Sequence, residues 1–323
     1  MGIETEISWT DHTFNPWWGC VKVSPACDRC YAETFSKRVG FAESGSKFPI
    51  WGKQAGRRFF AGSHWSEPLK WDKNAAKEGV RKRVFCGSMC DVMEEYNGTE
   101  HLVREGLEES RRWLYSLIER TANLDWLLLT KRPQNFRRFL PKGWLANPRP
   151  NVWGMATVES QEFMWRAKEL CQTPFAIRGI SAEPLLGPLD FTAVDYRNDL
   201  RQSLVKFARE TPSLNLLTGE WFDGWDSGED GARLDWIIVG GESGAGARPS
   251  HPDWFRSIRD QCVRAGIAFH HKQNGEWASV SEVAGAGAHR YFEDGATVRR
   301  VGKKAAGRLL DGRTWDEMPR AAD

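Results

Sequence analysis

"LDWLLLTKRP" runs from Leu124 to Pro133, and "LDWIIVGGES" runs from Leu234 to Ser243. Each is a short apolar run that stops abruptly at a polar cluster. A run this short, apolar at nearly every position instead of every second one, suits a strand covered on both faces. Five more stretches read the same way: Ile7 to Thr10, Val84 to Gly87, Asn151 to Val158, Phe175 to Ser181 and Ile267 to Lys272. Helical stretches lie between them. Cys27 to Val39 carries Tyr31, Phe35 and Val39 at i, i+4 and i+8; Glu100 to Thr121 carries Leu102, Leu107, Trp113, Leu114 and Leu117. Ser160 to Cys171 and Asp253 to Ala265 complete the pattern. Strand alternating with helix predicts a parallel α/β fold, either an open doubly wound sheet or a (β/α) barrel.

Chemically useful residues follow the apolar runs: Ser88 and Asp91, Thr130 and Lys131, Thr157 and Glu159, Glu183, Glu242 and Ser243, Lys272 and Gln273. The carboxyl ends of parallel strands form the working face of such folds. These clusters are therefore expected on one rim. The loop after the first run joins them, and it reads "NPWWGCVKVSPACDRCYAETF", Asn15 to Phe35.

That loop holds Cys20, Cys27 and Cys30 in a C-x6-C-x2-C spacing. Three thiols leave one coordination position free. A [4Fe–4S] cluster takes one thiolate per iron, so three cysteines leave an iron open to chelate S-adenosylmethionine. Zinc is the alternative, with His12 as the fourth ligand of a Cys3His site. Cys86 and Cys90 read as further ligands, a redox pair or small fillers on a buried strand. Cys171 and Cys262 fall in helical stretches and are expected in the core.

The 323 residues are 41% hydrophobic, enough for one large domain with appendages. No run reaches the length of a membrane span, and the N-terminus has no signal-peptide pattern, so a cytoplasmic protein is expected. Seven cysteines there read as thiols, not disulfides. A net charge of +2 leaves no general nucleic-acid footprint, so any basic surface is local. The 17 tryptophans, many beside Gly or Pro, read mainly as plugs of loops against the body of the domain. Residues 41–82 and 190–233 break the alternation and read as insertions in a body of residues 1–280. Residues 281–323 read as a basic extension, with six basic residues from Arg299 to Arg313 against one Asp and a turn at Asp311-Gly312.

"TFNPWWGCVKVSPACDRCYAE", "FCGSMCDV", "LLLTKRP", "NVWGMATVESQ", "GISAEPLLGPLD", "WIIVGGESGAGARPSHPDW" and "KQNGEW" occur in this order. Together they resemble an uncharacterised family of phage and bacterial proteins with a three-cysteine motif, similar to radical S-adenosylmethionine enzymes. The usual C-x3-C-x2-C of those enzymes is lengthened here. Arg29 stands where they often place an aromatic, and Tyr31 follows; Gly87-Ser88-Met89 stands where they carry Gly-Gly-Glu.

The resemblance implies a partial (β/α) barrel of about six to seven strands, with a [4Fe–4S] cluster on Cys20, Cys27 and Cys30. It implies an S-adenosylmethionine site involving Tyr31, Gly87, Ser88, Thr157, Glu159, Ser160, Gly241 and Glu242. Glu183 with Lys131 or Lys272 is the expected catalytic group. The implied activity is radical chemistry on a nucleobase or nucleic acid, in modification or repair. An external electron donor and a three-Cys-motif partner protein are the implied protein partners. The contrasting reading is a zinc-bearing protein that binds nucleic acid or recruits a partner without redox chemistry.

Overall fold

The computed structural model describes residues 5, 7–41, 49–195, 213–222, 227–229 and 233–320. Seven strands form its main sheet: β1 (His12–Phe14), β2 (Lys82–Cys86), β3 (Leu124–Thr130), β4 (Val152–Thr157), β5 (Ile177–Ala182), β6 (Trp236–Gly240) and β7 (Ala268–Gln273). Their order in the sheet is their order in the chain. The pairings β1–β2, β2–β3, β3–β4, β5–β6 and β6–β7 are parallel. A doubly wound sheet reverses its order at a switch point; this sheet does not reverse, so the α/β fold is of the partial (β/α) barrel type. Every residue of β4 and β6 is buried, as strands covered on both faces require.

The first strand is not at Ile7 to Thr10. Those residues turn, with Thr10 N–H bonded to the Ile7 carbonyl. Thr10 and Asp11 then add side-chain bonds to the neighbouring strand. Thr10 Oγ1 donates to the Arg83 carbonyl and accepts from Phe85 N–H, and Asp11 Oδ2 accepts from Arg83 N and Nε. The strand itself begins at His12, one residue after Asp11 N–H donates to the Arg83 carbonyl at 3.0 Å.

The chain forms two compact units, the first mainly the residues up to Ala156, the second Thr157–Gln172 with Ile177–Arg320. In the first unit lie α1 (Tyr31–Arg38), α2 (Glu67–Glu78) and α3 (His101–Glu119). The segment expected as an insertion at 41–82 contains α2, which buries Trp71 and Ala75; residues 42–48 of it lie outside the described residues. In α3, Leu107, Leu114 and Leu117 are buried as expected, but Leu102 and Trp113 face out. In α1 the expected stripe is reversed: Tyr31, Phe35 and Val39 are exposed, and Ala32, Glu33 and Ser36 are buried. The helix starts after Cys30, not at Cys27, and its phase is set by Trp51, whose indole N–H donates to Ser36 Oγ at 2.5 Å.

In the second unit, α4 (Trp165–Cys171) starts later than Ser160, after a 3-10 turn at Gln161–Phe163. The helix α5 (Pro252–Ala265) is capped by His251 and ends at Gly266 in the left-handed conformation. The segment 190–233 holds a small antiparallel sheet of Val194–Asp195, Ser213–Leu214, Glu220–Phe222 and Ser227–Glu229. Its residues 196–212, 223–226 and 230–232 lie outside the described residues. Past Trp277 three antiparallel strands follow, Trp277–Ser279, His289–Tyr291 and Thr297–Arg300.

The turn at Asp311-Gly312 is present, with both φ angles positive (54° and 77°) and Leu310 paired to Arg313. Such a two-residue turn with two positive φ angles favours a tight hairpin. The chain then runs along the outer edge of β7: His271 N–H donates to the Trp315 carbonyl at 2.9 Å, and Glu317 N–H donates to that of Phe269 at 3.2 Å. Among the described residues no helix is long and apolar enough to cross a membrane.

Candidate metal centre

In the first unit, the chain after β1 pairs Trp17 and Trp18 with Phe59 and Arg58, then turns at Gly19. Gly19 has φ +109°, and a Cβ there would fall on the Ile50 carbonyl oxygen; no other residue fits this entry to the loop. Cys20 bridges to Trp51, and its carbonyl accepts from Gly52 N–H. A 3-10 turn at Pro25–Cys27 carries the second thiol, and Cys30 caps α1. Trp18, Ala32, Ile50, Trp51 and Met89 pack together, with Cys20 and Cys30 against them. All three thiols are partly buried and free of disulfides.

The stretch after β2 braces this loop. Gly87 N–H donates to the Phe14 carbonyl, Gly19 N–H to that of Met89, and Met89 N–H to Asn15 Oδ1. Asn15 Nδ2 donates to Ser88 Oγ at 2.9 Å, and the Tyr31 hydroxyl donates to the Ser88 carbonyl at 2.6 Å. Tyr31, Gly87 and Ser88 thus meet beside the cysteine loop.

Three buried arginines hold the next residues, Asp91 to Glu94. Arg57 pairs with Glu94 at 2.6 Å, both side chains fully buried. Arg111 donates to the Val92 and Glu94 carbonyls. Arg132 pairs with Asp91 at 2.7 Å and reaches Cys20 Sγ at 3.7 Å. Burial pushes the Cys20 thiol up to about 12, with Glu94 adding to the effect and Arg132 opposing it. Burial also raises the Cys30 thiol. Burial alone would raise the Asp91 carboxyl, but Arg132, Thr130 and the Lys131 N–H together hold it below its ordinary value. Lys131 itself is half-buried, its backbone N–H on Asp91 Oδ2.

Among the described residues, one group of three His, Cys, Asp or Glu side chains has its ligand atoms all within 4.8 Å: His251, Asp253 and Asp294. His251 Nδ1 accepts from Asp253 N–H, and its Nε2 faces Asp294 at 2.9 Å. His251 thus caps α5 through Nδ1. His12, the fourth ligand of the zinc reading, lies flat on Trp71 at 4.4 Å. A cubane would take each thiolate on a separate iron, whereas a zinc would gather all three on one ion.

In the second unit, Thr157 ends β4, buried. Glu159 is 0% exposed; Arg166 holds one of its carboxylate oxygens at 2.8 Å, and the other has no hydrogen-bond partner. Ser160 is half-buried against Gly187. Glu183 pairs with Lys272 at 3.1 Å, the second of the two donors expected for it. Gly240 and Gly241 do permit close approach, but of the protein's own groups: added Cβ atoms would fall on the Glu183 carboxylate and the Asn274 carbonyl. Glu242 accepts from Arg248 N and Nε, at 2.8 and 2.9 Å. Gln273 Nε2 donates to Ser243 Oγ at 2.8 Å.

A family model described as a protein of unknown function, DUF5131, matches residues 4–319. The chain belongs to the DUF5131 family. Two solved variants of spore photoproduct lyase are similar. A tyrosine-to-phenylalanine variant shares 11% identity with a TM-score of 0.40, and a cysteine-to-serine variant shares 13% with 0.38. In both, 92% of this chain and 70% of the other is covered. No curated protein matches.

Sequence reasoning missed the arginines of this DUF5131 chain. Arg57, Arg111 and Arg166 sit far from any motif, and nothing local distinguishes them from solvated charges. Arg132 had a signal: it is the second residue after an apolar strand and precedes Pro133.

Proposed function

We propose that this DUF5131 protein is a radical S-adenosylmethionine enzyme. The observation that carries the reading is three half-buried thiols on one loop, walled by tryptophan and methionine and with a buried guanidinium at the first sulfur. Cys20, Cys27 and Cys30 would hold a [4Fe–4S] cluster. When bound, that cluster with S-adenosylmethionine supplies a 5′-deoxyadenosyl radical able to abstract hydrogen from unactivated carbon.

The chain's own residues do the rest. The apolar wall of Trp18, Ile50, Trp51 and Met89 excludes water from the thiolates. The Ser88 carbonyl, positioned by Tyr31, and the backbone at Gly87 offer acceptors to the cofactor's amino group. In the second unit, Thr157, Ser160 and Glu242 bring hydroxyl and carboxylate groups suited to a ribose diol. Glu159 is assigned to the same task through its free oxygen. Glu183, paired with Lys272, holds a proton-transfer group at a strand end, and Lys131 holds a charge beside the cysteine loop. A nucleobase or nucleic acid is the proposed substrate, with Lys303 and Lys304, both exposed, as phosphate contacts. An external electron donor and a separate partner protein complete the proposal.

The test is anaerobic reconstitution of the full chain. About four irons per chain, broad absorption near about 400 nm and reductant-dependent 5′-deoxyadenosine are expected, and any single Cys→Ala change among the three removes the iron while Cys171→Ala does not. A colourless, zinc-loaded protein overturns the reading. Nucleic-acid binding that weakens steeply with salt, and weakens further in Lys303→Ala/Lys304→Ala, supports the substrate class; equal binding by both proteins removes it.

A further inference from the structure

Arg132 is 7% exposed and makes contact in two directions. On one side, Nη1 reaches Cys20 Sγ at 3.7 Å and Nη2 donates to the Val21 carbonyl at 2.7 Å, so the guanidinium spans two successive residues of the cysteine loop. On the other side, Nη1 donates to Asp91 Oδ2 at 2.7 Å. Asp91 has no freedom to let it go. Its Oδ1 accepts from Thr130 Oγ1 at 2.6 Å and Met93 N–H at 3.0 Å, and its Oδ2 also accepts from Lys131 N–H at 3.1 Å. Thr130 Oγ1 in turn accepts from Arg132 N–H at 2.8 Å, which closes the ring. A buried fork is thus aimed at one sulfur of three by a carboxylate that β2's following loop and the end of β3 both hold.

We propose, on the cluster reading above, that Arg132 is a positioning residue: held by Asp91, it donates a charge-assisted hydrogen bond to the Cys20 thiolate and makes the cluster easier to reduce. An N–H aimed at a ligand sulfur withdraws electron density from it, and hydrogen bonds to the sulfurs are among the factors that set cluster potentials. The added electron makes the cluster more negative, so a cation close by, in surroundings of low dielectric, favours the reduced state. The Arg132–Asp91 pair is neutral as a whole; its positive end is the end that touches sulfur.

The experiment is a redox titration of the anaerobically reconstituted full chain without S-adenosylmethionine, read by absorption and by electron paramagnetic resonance, with iron counted per chain. Arg132→Gln alone leaves Asp91 buried and unpaired, so the main variant is Arg132→Gln/Asp91→Asn, which removes both charges. Arg132→Lys keeps the charge with a single point donor. At a poise that half-reduces the wild type, the double variant is expected to show a reduced-to-oxidised ratio about tenfold lower, which is about 59 mV for a one-electron couple. Arg132→Lys is expected to fall between, and the reduced signal is expected to change shape in both. Wild-type midpoints and signals in both iron-loaded variants overturn the proposal and leave the cluster reading intact. Iron loss in the double variant with a wild-type midpoint in Arg132→Lys makes the contact structural only and also overturns it. A wild type that holds no cluster fails the earlier reading first and takes this one with it.

Discussion

His271 shows how much one buried side chain can impose on this protein. It is fully buried on β7, packs edge-on against Phe255 of α5 at 4.9 Å, and bonds Asn274 Oδ1 through Nε2 at 3.0 Å. Burial drives its pKa down to about 4, with Asn274 only partly opposing. The folded state therefore keeps the ring neutral, and the unfolded chain binds the proton more readily. The stability this group contributes is whole above about pH 6.5 and is lost as the pH falls towards about 4. We predict that, between pH 7 and 4.5, the wild type loses about 2 kcal/mol more unfolding free energy than His271→Gln, measured by urea denaturation. Equal losses would mean the ring is hydrated. At this scale the sequence was partly legible. The pairing of Glu183 with a lysine follows from the need of a half-buried carboxylate for a donor. Asp91 and Arg132, by contrast, meet only because β2 and β3 are neighbours, and no spacing along the chain encodes that.

For whole elements, periodicity was a good guide to where helices lie and a poorer guide to which side they bury. Both faces of α1 carry side chains able to pack. Its orientation is decided by Cys30 at its N-terminus and by Ile50 and Trp51, which arrive from a distant segment to cover Ala32 and Ser36. A helix of two turns has too little surface of its own to overrule such neighbours. In α3, five turns long, the leucine stripe prevails. The two cases predict opposite mutational costs. Val39→Ser, at the exposed C-cap of α1, is expected to change stability by less than about 0.5 kcal/mol. Leu114→Ala, fully buried in α3, is expected to cost about 2–5 kcal/mol. Paired denaturant titrations check both; a large loss in Val39→Ser would mean that the outward face of α1 is covered in the native protein.

For the molecule as a whole, seven apolar runs read in order were enough for the parallel sheet, because two-sided burial leaves a compositional mark on every strand. The exception is β1, only three residues long, where Thr10 and Asp11 add side-chain bonds at its start and Ile7 to Thr10 turn. The closing segment left no such mark. Its basic residues read as an extension with a turn; within it Arg308 pairs with Asp316, Arg313 lies over Trp315, and Leu310 is buried. We predict that deleting residues 308–320 lowers the thermal midpoint and produces concentration-dependent association on size exclusion with light scattering, because an uncovered strand edge templates pairing between chains. A monomer with an unchanged midpoint would show the segment to be dispensable.

The strap along β7 also has a consequence in time. A ribosome adding about 5–20 residues per second needs seconds to proceed from Gln273 to Trp315. Through that interval the nascent chain has every strand of its main sheet and one unguarded flank. Slowing elongation over residues 280–315 lengthens the exposure without altering the finished product. Yield during expression should therefore depend on codon speed in a stretch that contributes little to the cysteine site, and on whether a chaperone shields that flank until the last turn is made.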